Sequence, residues 1–555
     1  MTGPSWYEFH RGLESPSDFM RREWQALAVF GGGFAAVYLV AIFAVSPSYF
    51  YPRLITDSVN YYLTGLAFAE TGHLTARIAI NLPPFVYLAM PGLLRAPFMM
   101  LFSDFDNQLR AIQISNVLLV GVTAAMYAYV LSWIVPRKWH WLAIGFSFGF
   151  MLLNPDWGGN IFAVLADAPY AAATIAFLIL ATRVLSSDRP LKAQPWKIAG
   201  CVILFAVAFL LRFSAPVLLV YVAVLAAGRR IHGRRPFGPL LIAAAVVAIL
   251  LAVLVGLNWK VLHGRYLMEP VQFFRKADKA SVMMNLLASA LPSQIVPRFQ
   301  RLFTHVPVLD TYRVHFGTAP RDLILVALGF AISAMTFYGM WRARRRFAPE
   351  IAYTLAAMPV LAVMIPSTIR YLIAYEPMFW IFFYIGASAL LAPIAVRYSP
   401  SPRAVLAAVA LFILTAAGAA YAWTARSHGG RIAIGETRAY STEVASTFGD
   451  LRSYLETLPR DHTFLIGSRG AAGRWKVISG LEYYRPDSLL SVAVAQRDTY
   501  LVLDCATLDL CRGFEVVDRR SRKFLDRYGT FSFDSVFART TDHAKARVYR
   551  IRDSK

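Results

Sequence analysis

Charged residues are scarce in this sequence: Asp, Glu, Lys and Arg together make up 16% of its 555 residues, whereas a soluble globular chain has about 25%. Hydrophobic residues make up 57%, and the mean hydropathy is +0.48. They are concentrated in runs long enough to cross a bilayer, which takes about 20 residues per helix. This composition excludes an ordinary soluble domain and predicts an integral membrane protein.

Acidic residues are the scarcer charged residues, with 33 Asp and Glu against 56 Lys and Arg, so the formal net charge at pH 7 is +23. In a soluble chain this excess would suggest a nucleic-acid partner, but the sequence contains no nucleic-acid-binding motif. In a membrane protein, Lys and Arg in cytoplasmic loops set the topology. Anionic lipid headgroups or a lipid-phosphate substrate account for more of the charge. We therefore expect membrane lipids, and no nucleic acid, as partners.

Cysteine and clustered histidine are also scarce. Cys201 lies in an apolar run, while Cys505 and Cys511 lie in the polar C-terminal part, where a disulfide is one alternative if that part is outside the cytoplasm. A glycine-rich loop that would bind a soluble nucleotide is missing. No metal is assigned and the cofactor stays open, because the histidines lack ligand spacing: His73, His305 and His315.

The apolar runs predict a polytopic α-helical protein of about eleven spans. Residues 1–25 are polar and mixed in charge, which predicts a cytoplasmic N-terminal segment rather than a cleavable signal. The membrane core then extends over 26–424. The predicted spans are 26–46, 111–134, 139–153, 165–182, 197–211, 214–228, 238–262, 323–341, 350–366, 372–395 and 404–424.

The short loops between these spans alternate in charge, and every second loop is basic, as the positive-inside rule requires of a cytoplasmic N-terminus. The opposite side then holds the first outer loop (46–110), a second outer loop (263–322), and everything after the last span. The second outer loop is itself basic, which an anionic ligand would explain. The basic residues on the cytoplasmic side are Arg21, Arg22, Arg137, Lys138, Arg183, Arg189, Lys192, Lys197, Arg229, Arg230, Arg234, Arg235, Arg342, Arg344, Arg345, Arg346, Arg397 and Arg403.

Residues 425–555 are predicted to form a small α/β domain outside the cytoplasm, which we call the C-terminal domain. Three short apolar runs have the pattern of buried strands: Thr463–Gly467, Thr499–Asp504 and Val548–Ile551. The apolar residues of Glu443–Leu458 recur at helical spacing. A length of ~130 residues is typical of one small domain.

The first outer loop carries the most specific pattern. An acid, Asp57, lies just after the first span and is followed by Tyr61 and Tyr62; Glu70-Thr-Gly-His, Asn81-Leu-Pro-Pro-Phe-Val-Tyr and Met90-Pro-Gly come next in order. This order resembles the first extracytoplasmic loop of the C-type (GT-C) glycosyltransferases, the superfamily of protein mannosyltransferases and the bacterial aminoarabinose and arabinofuranosyl transferases.

The resemblance continues beyond that loop. Asn154-Pro, Ala166-Asp-Ala-Pro-Tyr, Arg212-Phe-Ser and Arg370-Tyr also fit the superfamily pattern, which covers about residues 26 to 395. It implies the GT-C fold, a polyprenyl-phosphate-linked sugar donor, and inverting transfer to an envelope glycan, lipid or protein at the outer face of a bacterial plasma membrane. One departure is that Asp57 is followed by Ser58, where many relatives have a second acid.

The chemistry of such a transfer needs these residue types. A carboxylate facing a cavity can take the proton from the acceptor hydroxyl, so the resemblance makes Asp57 the general base, with Asp167 positioning the acceptor. The leaving phosphate needs cationic donors, for which the planar fork of Arg is well suited. The candidate substrate-binding residues are Tyr61, Tyr62, Arg212, Lys260, His263, Arg265, Arg370 and Tyr371.

Simpler interpretations remain open for these residues. Asp57 and Asp167 each lie where a helix begins, and Asp is a favoured N-cap. Asp156 reads as a turn residue, yet it competes with Asp167 for the second acidic position. Arg212 and Arg370 lie at span ends, where snorkelling to headgroups is common.

Other function classes also remain open. A polytopic transporter or flippase of a lipid-linked or anionic substrate would have as many spans, although an internal repeat of the kind common in transporters is not evident. A lipid-linked polysaccharide ligase or polymerase would share the donor lipid, but it would lack the acid and paired tyrosines directly after the first span. Uptake of labelled sugar or lipid into vesicles would separate transport from transfer.

Overall fold

The structure is a computed structural model of the chain. It describes residues 6–54, 56–74, 76–77, 79–81, 89–153, 155–162, 165–212, 214–231, 334–364, 374–398, 434–467, 469–505, 514–541 and 544–553. The chain falls into two compact units. Unit 1 comprises Met1–Ala36, Leu118–Gly158 and Ala166–Gly430, and unit 2 comprises Val37–Val117, Gly159–Leu165 and Arg431–Lys555. The domain limits 1–25, 26–424 and 425–555 stay a prediction.

Helices make up most of the described chain before residue 434. They are α1 (Trp6–Arg11), α2 (Pro16–Ala44), α3 (Thr56–Thr71), α4 (Ala89–Leu93), α5 (Ala96–Leu101), α6 (Phe105–Leu131), α7 (His140–Leu153), α8 (Pro155–Phe162), α9 (Asp167–Leu185), α10 (Pro195–Leu211), α11 (Leu218–Ile231), α12 (Ala348–Met364) and α13 (Glu376–Tyr398). A 3₁₀ helix, Pro47–Arg53, connects α2 to α3. Residues 334–343 are also helical.

Three helices of the described chain are long and apolar enough to cross a bilayer: α2, α6 and α9. They coincide with the predicted spans 26–46, 111–134 and 165–182, so the membrane class is confirmed. The spans predicted at 139–153, 197–211, 350–366 and 372–395 are helical as α7, α10, α12 and α13, and the span at 214–228 is a 3₁₀ turn (Ala215–Val217) followed by α11. The spans predicted at 238–262 and 404–424 lie outside the described residues, as does the first part of 323–341.

Two glycines in unit 1 bring a pair of helices into backbone contact. Gly339 lies in the helical residues 334–343 and Gly386 lies in α13. A methyl group on Gly339 would overlap the carbonyl oxygen of Phe382, and one on Gly386 would overlap that of Met335. Small residues at such crossings let membrane helices approach closely, because packing rather than the hydrophobic effect holds them together.

Gly386→Ala should therefore destabilise the protein. The added methyl group meets backbone, which cannot move aside as a side chain can, so we expect a loss of about 1–3 kcal/mol or more in unfolding free energy. Thermal unfolding in detergent measures this effect. The matched control is Gly33→Ala in α2, where a methyl group meets nothing within 4 Å; equal midpoints for the two variants would contradict the prediction.

The N-terminal helix α1 is held to unit 1 by a buried ion pair. His10 Nε2 bonds Glu350 Oε1 of α12 at 2.8 Å, and the hydroxyl of Tyr221 donates to the same oxygen at 2.9 Å. Trp6 lies against Gly228 of α11. Arg183 of α9 donates to the carbonyl oxygen of Leu13 at 2.6 Å. The predicted cytoplasmic segment thus ties the ends of three helices together.

This docking should weaken as the pH rises. Burial lowers the pKa of His10, but the charge and hydrogen bond of Glu350 outweigh burial and raise the pKa above its ordinary value of 6.5. The raised pKa stabilises the folded state fully below pH 6.5, and this contribution is lost as the pH rises through the folded pKa.

Amide exchange in α1, after correction for the intrinsic pH effect, should therefore increase from pH 6 to pH 9. His10→Gln should remove this pH dependence, whereas His73→Gln, at an exposed histidine, should keep it. Retention of the full pH dependence by His10→Gln would refute the assignment.

The C-terminal domain contains one five-stranded mixed sheet. Its strands are β1 (Thr463–Ile466), β2 (Glu482–Tyr483), β3 (Asp498–Cys505), β4 (Phe531–Thr540) and β5 (Lys545–Asp553), in the order β2-β1-β3-β5-β4. β1 is parallel to β2 and β3, and β5 is antiparallel to β3 and β4. The domain's helices are α14 (Ile434–Glu456), α15 (Arg469–Ser479), α16 (Leu490–Gln496) and α17 (Phe514–Leu525). The three predicted strands and the predicted helix are confirmed.

Strand alternation gives this sheet two buried faces. On one face, Leu501, Leu503 and Ile551 join a hydrophobic cluster that also includes residues of α16 and α17. On the other face, Asp504 accepts a hydrogen bond from the indole of Trp475 in α15. Cys505 is disulfide-bonded and Cys201 is a free thiol; the remaining cysteine lies outside the described residues.

Candidate active site

Asp57 lies half-buried in the first turn of α3, four residues after the end of the 3₁₀ helix that follows the first span. The helix begins at Thr56, so Asp57 is inside the first turn. Backbone N–H groups at a helix N-terminus stabilise a carboxylate there. This placement leaves part of the side chain accessible. Asp57 can therefore both stabilise the start of α3 and act as a reactive base.

The two predicted substrate tyrosines of unit 2 are packed inside it. Tyr61 is 1% exposed and Tyr62 is 4% exposed. The hydroxyl of Tyr62 donates to Gln108 Oε1 of α6, and its ring lies edge-on to Phe105 at a centroid distance of 5.3 Å. Tyr62 thus fixes α3 against α6, and contact of either tyrosine with a substrate stays a prediction.

Two glycines set the distance between α3 and α4. A Cβ on Gly65 of α3 would lie 2.8 Å from the carbonyl oxygen of Gly92, the glycine of the Met90-Pro-Gly motif. Close approach of backbones needs glycine because any side chain would fill the gap. The Met90-Pro-Gly motif thus has a packing role between α3 and α4.

A buried arginine in unit 2 was not singled out from the sequence. Arg95 is 2% exposed and donates to the carbonyl oxygens of Pro91 at 2.8 Å and Leu165 at 2.5 Å. Burial lowers its pKa to about 10, although the neighbouring Tyr61 opposes that change. The local signal was a lone cation in the apolar stretch Gly-Leu-Leu-Arg-Ala-Pro, where a buried charge must find acceptors.

The same part of unit 2 contains the end of α8, whose last carbonyl groups need donors. Asn116 Nδ2 donates to Asn160 and Ile161 at 3.2 Å each, and Gln113 Nε2 donates to Phe162 at 3.3 Å. Together with the bond from Arg95 to Leu165, these side chains satisfy the backbone that precedes Asp167 in the chain. Irregular backbone is tolerated in a membrane protein only where such partners exist.

In unit 1, Asp167 and Arg212 form a buried ion pair. Arg212 Nη2 donates to Asp167 Oδ1, and the two residues are 8% and 1% exposed respectively. Asp167 is the first residue of α9 and follows the N-cap residue Ala166. Arg212 follows the last residue of α10. The pair therefore joins the ends of two apolar helices, where an isolated charge would be costly and a functional role is the usual reason for its presence.

A hydroxyl cluster lies beside this pair in unit 1. The hydroxyl of Tyr170 bonds the hydroxyls of Ser214 and Tyr375 at 3.0 Å each. The ring of Tyr353 is stacked on that of Tyr375 at a centroid distance of 5.5 Å. Tyr170 belongs to the Ala-Asp-Ala-Pro-Tyr motif, so the motif supplies both a charge and the centre of a hydrogen-bond cluster. Such groups have the donors and acceptors that a sugar hydroxyl uses.

Several predicted site residues lie outside the described residues: Lys260, His263, Arg265, Arg370 and Tyr371. The backbone of Asp156 lies in α8, but its side chain is not described. Within the described ranges, no group of three or more His, Cys, Asp or Glu side chains could hold a metal ion.

The chain is similar in structure to several solved proteins, all at low sequence identity and with TM-scores below 0.5 for the two named here. One is ArnT from Cupriavidus metallidurans bound to undecaprenyl phosphate, at 14% identity and a TM-score of 0.47, over 94% of this chain and 98% of that chain. The other is the archaeal oligosaccharyltransferase AglB from Archaeoglobus fulgidus in complex with an inhibitory peptide and a dolichol-phosphate, at 12% identity and a TM-score of 0.49, over 93% of this chain and 73% of that chain. No family model and no curated relative matches the sequence. At these identities the similarity transfers no residue role to this chain.

Removing one partner of the Asp167–Arg212 pair should destabilise unit 1. Asp167→Asn or Arg212→Met leaves one buried group without its counter-charge, which costs about 3–5 kcal/mol. The double variant Asp167→Asn/Arg212→Met removes both charges and should be more stable than either single variant. Unfolding in detergent measures all three proteins.

Arg11→Met is the control for that series, because Arg11 and Asp188 form an ion pair in which both side chains are about half exposed. Such a pair contributes about 0–1 kcal/mol. Losses that simply add in the double variant would show that the two buried charges do not depend on each other.

Proposed function

We propose that this protein is a membrane glycosyltransferase that transfers a sugar from a polyprenyl-phosphate-linked donor to a cell-envelope acceptor at the outer face of the membrane. The observation that carries the proposal is Asp57, a half-buried carboxylate in the first turn of α3, at the start of an outer loop whose motif order resembles that of GT-C enzymes. A lipid-linked donor also agrees with the missing nucleotide-binding loop.

In the proposed reaction, the carboxylate of Asp57 takes the proton from an acceptor hydroxyl. The acceptor oxygen then attacks the anomeric carbon of the sugar from the face opposite the phosphate. The bond between that carbon and the phosphate oxygen breaks, its electron pair leaves with the polyprenyl phosphate, and the configuration inverts. General-base assistance of this kind contributes about 10²–10⁴-fold to a rate.

The buried pair of unit 1 is assigned to positioning and charge stabilisation. Asp167 and the hydroxyl cluster around Tyr170 would orient acceptor or donor hydroxyl groups. Arg212 has five N–H donors in a planar fork, so it can approach phosphate oxygens while it keeps its bond to Asp167. Arg370, which lies outside the described residues, is the second candidate for the phosphate. Each role is a proposal for this chain alone.

Asp57→Asn should abolish transfer while the protein level stays normal. Asparagine keeps the shape of the side chain and much of its helix-end hydrogen bonding, but it cannot act as a base, so we expect a loss of about 10²–10⁴-fold. The assay follows radiolabelled sugar from a panel of polyprenyl-phosphate donors into a membrane-envelope acceptor fraction.

The control is Asp188→Asn, at an exposed aspartate after α9, which should keep wild-type activity. Equal activity of Asp57→Asn and wild type would limit Asp57 to a helix-end role and move the search to Asp167 and Asp156. Failure of the wild type with every donor, together with uptake of labelled lipid into vesicles, would favour a transporter or flippase.

A further inference from the structure

Two arginines of the C-terminal domain contact the segment that leads into Asp57. Arg452 lies in α14 and Arg474 lies in α15, and both belong to unit 2 together with the first outer loop. They reach consecutive residues of the 3₁₀ helix, Tyr51 and Pro52. Asp57 follows five residues after Pro52, so these contacts lie directly upstream of the proposed base.

Arg452 is the centre of the first contact. Its Nη1 donates to the hydroxyl of Tyr51 at 2.5 Å and to Asp106 Oδ2 at 2.6 Å, and its Nε donates to Glu456 Oε1 at 2.7 Å. The hydroxyl of Tyr51 donates to Asp106 Oδ1 at 2.6 Å. One guanidinium thereby joins the C-terminal domain, the 3₁₀ helix and the start of α6. Burial and the bond to Asp106 raise the pKa of Tyr51, so its hydroxyl stays a neutral donor.

Arg474 makes the second contact from a neighbouring helix. Its Nη1 donates to the carbonyl oxygen of Pro52 at 3.0 Å, and its Nη2 donates to Asp504 Oδ1 of β3 at 2.8 Å. Trp475 donates from its indole to Asp504 Oδ2 and lies edge-on to the ring of Tyr51. The sheet thus fixes Asp504, Asp504 fixes Arg474, and Arg474 fixes the backbone at Pro52.

The C-terminal domain also contacts the chain downstream of α3. Asn81 Nδ2 donates to Asp487 Oδ2 and to the carbonyl oxygen of Arg485 at 2.7 Å each, and the amide of Arg485 donates back to Asn81 Oδ1 at 3.0 Å. The amide of Ile80 donates to the carbonyl oxygen of Tyr483 in β2 at 2.8 Å. Both ends of the segment that carries α3 are therefore bonded to the same domain.

Apolar packing holds α3 itself against that domain. Val59 and Leu63 of α3, each buried, form one hydrophobic cluster with Tyr483 of β2. Val59 lies two residues after Asp57, and Leu63 lies one helical turn further along the same face. The face of α3 that carries these residues is therefore covered by the C-terminal domain, which restricts how the helix can rotate.

We propose that Arg452 and Arg474 are positioning residues, through which the C-terminal domain sets the position of Asp57. This inference rests on the proposed role of Asp57 as the base. Neither arginine touches reacting atoms; each acts on the backbone and side chains that precede α3. Misplacing a reacting group by about 1 Å can cost 10²-fold in rate, so small movements of the 3₁₀ helix are enough to matter.

The test compares four full-length variants with wild type: Arg452→Met, Arg474→Met, Tyr51→Phe and, as the control, Arg550→Met. Arg550 lies in the same domain and pairs with Asp498 at 2.6 Å, an ion pair within the sheet. Tyr51→Phe keeps the buried ring and removes only the hydroxyl. Two quantities are measured: amide exchange in residues 56–71, and the kcat and KM for a polyprenyl-phosphate sugar.

Both arginine variants should show amide exchange in α3 faster by about tenfold, with unchanged exchange in β1, β3 and β5. Their kcat should fall about 10- to 100-fold while the KM for the donor stays within about twofold, because the donor contacts are not altered. Tyr51→Phe should give an intermediate loss of kcat. Arg550→Met should resemble wild type in both measurements.

Other outcomes would overturn the inference. Wild-type amide exchange in α3 of the arginine variants would show that these arginines do not restrain the segment. Fast exchange with an unchanged kcat would show that the restraint does not position Asp57. An equal loss of kcat in Arg550→Met would reduce the effect to general stability. If the arginine variants unfold the sheet of the C-terminal domain, the test rests on Tyr51→Phe alone. A kcat of Tyr51→Phe equal to that of wild type would then overturn the inference.

Failure of the proposed function has a different signature. Full transfer by Asp57→Asn would remove the role of that carboxylate, yet the exchange data would still report whether the C-terminal domain holds α3. The two claims are therefore separable in the same set of proteins.

Discussion

A membrane interior provides no water to satisfy polar groups, and many of the specific contacts in this protein follow from that constraint. Asp167 is paired with Arg212 at the ends of two apolar helices. The last backbone carbonyls of α8 accept hydrogen bonds from the amide of Asn116. Each match joins elements that hydrophobic packing alone would leave free to slide or rotate. Polar residues thus give the apolar bundle its defined arrangement.

The arrangement of unit 2 is fixed in a different way, because part of this unit is polar and exposed. Its contacts around α3 are made by a folded sheet domain, so the precision of the first outer loop depends on the rigidity of that sheet. Asp504 illustrates this dependence, since a strand carries the carboxylate that orients Arg474. A loop alone loses much conformational entropy when it is ordered, and the domain offsets that loss by bonding the loop at both ends.

Much of the architecture was predictable from the sequence because it depends on local periodicity. The long apolar runs predicted α2, α6 and α9, and short apolar runs bounded by polar residues predicted β1, β3 and β5. The paired tyrosines were harder, because a Tyr-rich helix reads the same whether its rings face a sugar or, as for Tyr62, pack inside. The partners of Tyr62 are Gln108 and Phe105, which lie more than forty residues further along the chain.

The contacts near the candidate base could not be predicted from any local sequence pattern. Arg452 reads as an ordinary helix-surface residue with an acid four positions on, and nothing near it points to Tyr51. Arg95 gave a weak signal as a cation in an apolar stretch, but its acceptors are carbonyl groups, which every sequence offers. Side-chain bonds between distant segments are set by tertiary structure, so a single sequence does not predict them.

The bond between Arg452 and Tyr51 joins residues separated by 401 positions, and this separation has a consequence for biosynthesis. At a synthesis rate of about 5–20 residues per second, the arginine is made roughly 20–80 s after the tyrosine. The membrane helices that follow α2 are made in that interval, during which Tyr51 and Asp106 do not yet have Arg452 as a hydrogen-bond partner. The outer loop is therefore among the first segments to be made and among the last to reach its final structure.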